Sequence, residues 1–294
     1  MNTESIELFF KTGTRGQNDA DNKIREAILC FLADPLNEEY SIHEKWNILY
    51  NRFHTALQTI CATQIYSKVV IKTMAGRQHN YDFAAIFYDS DGVEISRAKL
   101  EFKHNSKSLS KIPQILSLTD RHGLIQELSY SSYYYSNYLD AHLLAIGYDG
   151  AKPTLEEYMS LVSGIDYNKH PMFAFMKTAE SAATKTIAKE SIQKYLETHA
   201  NQLNTTRLTA KLIESQQDKF FLLWDISDKS NAKFNIETLS VADLTITRVD
   251  RIKNKNAIVA LSANYEFHLL LRWRNHAGIM NPAWQISLVK RPNI

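Results

Sequence analysis

Apolar and polar residues alternate along two short stretches in the first third of the chain, and the alternation predicts a β-hairpin over 81–105. On its first strand Phe83, Ala85 and Phe87 share one face, while Asp82, Ala84, Ile86 and Tyr88 share the other. Asp91-Gly92 is a strong turn signal, because Gly tolerates positive φ and Asp bonds its own backbone. On the second strand Ala98, Leu100 and Phe102 alternate with Arg97, Lys99, Glu101 and Lys103. Helical spacing comes first: Ile24, Ala27, Ile28, Phe31 and Leu32 predict a helix over 18–32, stopped by Asp34-Pro35. Trp46, Leu49, Phe53, Leu57 and Ile60 predict a second over 42–62, and 66–73 reads as a strand. After the hairpin, 109–118 and 125–138 read as helix, split near His122-Gly123. The short apolar run 141–147 reads as a buried strand.

The hairpin's polar face carries the chemistry. Plausible tight turns place Asp82 opposite either Lys99 or Glu101. Either register leaves Asp82, Glu101 and Lys103 on one face, because a shift of two keeps parity. Neighbours on such a face lie roughly 5–8 Å apart. Two carboxylates at that range can share a hard divalent cation such as Mg²⁺, with Mn²⁺ as a substitute. Lys103 points into the same site and is placed to orient a water or offset developing charge.

The element order is helix, three strands, helix, strand, with Asp on the second strand and Glu-x-Lys on the third. In this it resembles the PD-(D/E)xK, or restriction-endonuclease-like, nuclease superfamily. The resemblance covers about 1–150 and carries over Asp82, Glu101 and Lys103, with Asp82 and Glu101 as metal ligands. Tyr81 stands where the family name has Pro. Some members add a Glu from the first helix. Glu26 and Glu44 are the candidates, and Glu26 is preferred because it adjoins the apolar face of its helix. Gln126 and Tyr130 fit a Gln-x-x-x-Tyr pattern found in an exonuclease branch, and they sit one helical turn apart. Tyr134 and Tyr138 extend that stripe, which reads as core packing, with base stacking as the alternative.

Composition narrows the rest. The chain has 294 residues, 44% of them hydrophobic, with six Pro and no linker or repeat. Cys30 and Cys61 are its two cysteines, too few for a disulfide framework or a Cys-rich zinc site. No apolar run is long enough to span a bilayer, and the N-terminal stretch is too acidic for a secretory signal. The expectation is therefore a soluble, cytoplasmic protein without a membrane partner. Net charge is only +2, but cations cluster: Lys103, His104, Lys107 and Lys111 after the motif, and Arg248, Arg251, Arg272 and Arg274 near the C-terminus.

The second half predicts a short capped helix over 153–164 and mostly helix over 182–217. β segments then begin at Phe220, with a strand expected within 238–249 and the last two strands at 265–275 and 283–289. On the first of these two, Trp273 faces the core side and Arg272 and Arg274 the other, a fork suited to phosphate or guanine.

The expected fold is α+β. A restriction-endonuclease-like αβββαβ core occupies 1–150, a helical connector 151–217 and a β-rich module 218–294, for recognition or homodimerisation. The resemblance implies a Mg²⁺-dependent DNA endonuclease like a type II restriction enzyme. Lys107, Lys111, Arg272 and Arg274 would then touch double-stranded DNA. An exonuclease, an RNA endonuclease or a non-catalytic nucleic-acid-binding protein of the same fold are the alternatives. No Walker A loop is present, so no ATP-driven motor is encoded in this stretch.

Overall fold

The computed structural model describes residues 2–12, 17–61, 65–74, 79–111, 114–125, 128–163, 169–251, 256–274, 276–279 and 281–291. The chain forms two compact units, and each takes two pieces of sequence. Unit 1 comprises Met1–Ser110 and Ser215–Ser240, and unit 2 comprises Lys111–Glu214 and Val241–Ile294. This is a different division from the expected breaks after 150 and 217, and strand pairing is the reason.

In unit 1, helices α1 (Asn18–Phe31), α2 (Glu38–Ser41) and α3 (Glu44–Cys61) precede the strands β1 (Lys68–Thr73), β2 (Phe83–Tyr88) and β3 (Glu94–His104). The chain then leaves, builds most of unit 2, and returns. β5 (Lys219–Asp225) pairs parallel with β3, and β6 (Lys233–Glu237) pairs antiparallel with β5. The sheet order is β1-β2-β3-β5-β6. Parallel neighbours need a long crossover, and here the crossover is the whole 111–214 segment.

One face of this sheet is core. Phe83, Ala85, Phe87, Leu100 and Phe102 meet Leu49, Phe53 and Leu57 of α3 and Ile28, Leu29 and Leu32 of α1. The α1 stripe is rotated from the expected one. Ile24 is exposed and Arg25 is buried instead, its Nε donating to the Leu8 carbonyl (2.9 Å) and its Nη1 to Asn22 (2.8 Å).

Unit 2 holds β4 (Leu116–Thr119), the helices α4 (Tyr130–Asn137), α5 (Leu139–Ile146), α6 (Leu155–Val162), α7 (Pro171–Thr178), α8 (Ala182–His199) and α9 (Thr205–Gln216, which runs on into unit 1), then β7 (Arg248–Arg251), β8 (Ala257–Leu261), β9 (Tyr265–Trp273) and β10 (Pro282–Lys290). Its sheet is antiparallel, in the order β4-β10-β9-β8-β7.

Three expectations fail in this region. Residues 141–147 are helix α5, not a strand. Leu139, His142 and Leu143 are buried at helical spacing, Leu144 is 83% exposed, and Gly147 closes the helix at φ 70°. A short apolar run does not declare its period, and its Leu and Ala favour helix. Residues 116–119 are a strand where helix was expected, since Pro113 interrupts any helix running through it. The expected strand within 238–249 is a short 3-10 helix at Val241–Leu244 followed by β7, while β6 was not anticipated. The mixed α and β class holds, and so do the helices at α1, α3, α6, α8 and α9 and the strands β1–β3, β5 and β8–β10.

Candidate active site

The β2–β3 register keeps the predicted parity. Ala84 lies opposite Lys99 and Ile86 opposite Arg97, so Glu101 and Lys103 share the face of Ala84 and Ile86. Asp82 stands one residue before β2. Its N–H donates to the Leu100 carbonyl (2.9 Å), and its carboxylate accepts the Phe102 N–H at 2.8 Å. Asp82 is thereby tied through its side chain to the strand that carries Glu101.

Glu101 is nearly buried and held on both oxygens. Lys103 Nζ lies 2.5 Å from Oε1, and Lys219 Nζ lies 2.7 Å from Oε2. Lys219 opens β5 beside Lys99 of β3, and from there its side chain reaches two residues along to Glu101. Its ammonium also donates to the Asn80 carbonyl at 2.5 Å and lies 5.0 Å from the Phe221 ring centroid. A buried ammonium is costly unless paired, and these contacts pair it.

The electrostatics are those of crowded carboxylates. Burial pushes the Asp82 carboxyl up, and Glu101 pushes it further, against Lys103 and the Phe102 N–H. Glu26, on α1, is pushed up to about 7, first by burial and then by Asp82, with Glu101 adding and Lys103 opposing. Burial alone would lower the Lys103 ammonium, but Glu101, Asp82 and Glu26 outweigh it and hold it above the ordinary lysine value. Burial depresses Lys219, with Glu101 pulling the other way. Of the two helix candidates, Glu26 therefore shares the field of the site, while Glu44 is exposed at the start of α3.

Among the described residues no three acidic, His or Cys side chains converge closely enough to hold a metal ion. The donor set nevertheless suits a hard cation held by two carboxylates and water. A carboxylate has about four lone-pair sites, and the two lysines occupy one on each Glu101 oxygen. Asp82 Oδ1 accepts no hydrogen bond among the described residues. Mg²⁺ is commonly bound this way, through one or two carboxylates with the remaining positions left to water and phosphate.

The other predicted residues separate. Lys107 is exposed in unit 1, and its carbonyl accepts from Asn235. Gln126 and the side chain of Lys111 lie outside the described residues. Tyr130 is fully buried within unit 2, its hydroxyl 2.7 Å from Ser191 Oγ and 3.0 Å from Trp273 Nε1, so it packs and does not present a ligand face. Tyr134 is likewise buried, 2.5 Å from His142 Nδ1. Arg272 is exposed, whereas Arg274 is half-buried and donates to Ser117 Oγ at 2.7 Å. Trp273 is only half-buried against Tyr130 and Tyr134. Lys219 was missed. Its one signal was a lone Lys heading the apolar run of 220–224.

No protein-family model and no curated protein matches this chain. Among the described residues no helix is long and apolar enough to cross a membrane.

Proposed function

We propose that this chain is a divalent-metal-dependent nuclease of the restriction-endonuclease-like kind, cutting DNA internally. One observation carries the reading: Asp82 and Glu101 are tied to one strand pair with Lys103 bonded to Glu101, and burial first, then neighbouring carboxylates, raise the Asp82 and Glu26 carboxyls. Groups perturbed in this way by burial and like charge cluster at functional sites.

Asp82 and Glu101 would hold Mg²⁺ or Mn²⁺, and Glu26 would add negative potential from α1. The ion, when bound, supplies a water of lowered pKa and offsets charge on the phosphate. Lys103, a quarter exposed, is free to leave Glu101 for a phosphate oxygen or the attacking water. Its charge then falls where negative charge develops. Arg272 and Lys107 are exposed cations suited to the backbone of a duplex.

A second reading has its own support. Both Glu101 oxygens are already neutralised by lysine, as in a purely structural charge cluster of a non-catalytic nucleic-acid-binding protein. Incubation with Mg²⁺ and both circular and linear duplexes separates these readings. Nicking or linearising the circle, abolished by EDTA, is the expected result. Loss from ends alone makes it an exonuclease, and cleavage of RNA only makes it a ribonuclease. Retention of duplex without cleavage supports the binding protein. Neither cleavage nor binding removes the nuclease reading altogether.

A further inference from the structure

The two lysines on Glu101 are not equivalent. The Lys219 side chain is 0% exposed, and the Lys103 side chain is 25% exposed. Lys219 is fixed from three sides, by Glu101 Oε2, the Asn80 carbonyl and the Phe221 ring. Among the described residues Lys103 is bonded to Glu101 Oε1. Taking Lys219 away from Glu101 would strand an ammonium inside the unit without its counter-ion, and breaking one side of a buried pair is strongly unfavourable. Lys103 is partly open to water, so it can turn away from Glu101 at less cost than the fully enclosed Lys219.

We propose that Lys219 is a fixed internal cation filling the Oε2 side of Glu101, so that the site takes one divalent ion, on the Oε1 side that Lys103 vacates. This rests on the metal-dependent reading above. It makes Lys219 a positioning residue. It holds the Glu101 carboxylate in one orientation, and its charge repels a second divalent ion. Lys103 then serves in turn as a placeholder for the ion and as the mobile charge beside the phosphate.

The test is a count of bound Mn²⁺ on the full chain by electron paramagnetic resonance, without substrate. The wild type should bind one ion. Lys219→Gln removes the fixed charge, so it should admit a second ion or hold the first roughly tenfold more tightly or better, a modest demand on a repulsion acting over a few ångströms. Lys219→Arg keeps the charge and should keep one ion. Two ions on the wild type would overturn the inference, as would a Lys219→Gln protein holding one ion at unchanged or weaker affinity. No ion on the wild type would remove the metal-dependent reading itself, and the role of Lys219 with it. If Lys219→Gln does not fold, as monitored by circular dichroism, the wild-type count and Lys219→Arg decide.

Discussion

The two units bury polar groups in opposite ways. In unit 2 the buried groups are mostly hydroxyls, amides and neutral imidazole, and most are answered nearby, although Asn256 Oδ1 and His276 Nδ1 find no hydrogen-bond partner among the described residues. Ser191 donates to the Ala188 carbonyl (2.7 Å), so Tyr130 must donate to Ser191 and accept from Trp273 Nε1. Tyr195 donates to the Leu128 carbonyl (2.5 Å) and Tyr158 to that of Gly278 (3.1 Å). The buried Asp120 takes the N–H groups of Tyr130 and Ser131 at the start of α4, which is ordinary helix capping by a carboxylate. In unit 1 charged groups crowd one another: Glu101 and Lys219 are buried, with half-buried Asp82, Lys103 and Glu26 beside them. A hydrogen-bonded network of mostly neutral groups stabilises a fold and asks nothing of a ligand. Carboxylates crowded together away from water gain from an added cation. The difference marks the aromatic stripe as structure and is what favours the proposed reading of the hairpin face.

The sharpest way to break that contrast is to remove the acids. Asp82→Ala or Glu101→Ala should abolish cleavage while circular dichroism shows the fold retained. Full activity in either variant would leave the cluster a structural one. Lys103→Met comes next. It should slow single-turnover cleavage by about 10²–10³ with duplex affinity little changed, because its charge acts where charge develops. If affinity collapses and the single-turnover rate holds, Lys103 is only a phosphate anchor.

Unit 2 should answer the opposite way. Tyr130→Phe leaves the Trp273 indole N–H without its acceptor inside the unit. A buried donor left unsatisfied costs about 1–3 kcal/mol; Trp273 is half-buried, so a loss toward the lower end is expected, read as a lower denaturation midpoint. Cleavage at a permissive temperature should not change. A Tyr130→Phe protein of normal stability and impaired cleavage would restore the aromatic stripe to the functional machinery.

The hairpin face was legible because its rule is local. Period-two alternation and the Asp91-Gly92 turn put Asp82, Glu101 and Lys103 together whichever register formed. Lys219 was not legible, because it arrives from β5 after the long excursion through unit 2, and no periodicity encodes a parallel partner that distant. The same crossover explains why the expected domain boundaries differ from the units. The misread 141–147 run shows the other limit. Seven apolar-rich residues fit a buried strand as well as a helix. What decides is that Leu139, His142 and Leu143 find a partner surface and Leu144 does not.

The smallest effect tests the origin of the contrast, the burial and like-charge crowding that keep carboxyls protonated in unit 1. Glu26 is pushed from 4.5 to about 7 in the folded chain. Between those values the folded state keeps a proton that the unfolded chain releases. The stability linked to that proton is complete below the unfolded value and is lost as pH rises through the folded one. Asp82 is raised as well and acts in the same direction. Glu26→Gln cannot ionise, so its melting temperature should exceed that of the wild type at pH 8 and converge with it near pH 4. In a chain of this size a gain of about 2–4 °C corresponds to each kcal/mol. Added Mg²⁺ should likewise raise the wild-type melting temperature more at pH 8 than at pH 5, since a cation relieves repulsion only between carboxylates that have lost their protons. An equal Glu26→Gln shift at pH 4 and pH 8 would mean that packing, not charge, sets the effect. Unit 1 would then bury Glu26 as quietly as unit 2 buries its tyrosines.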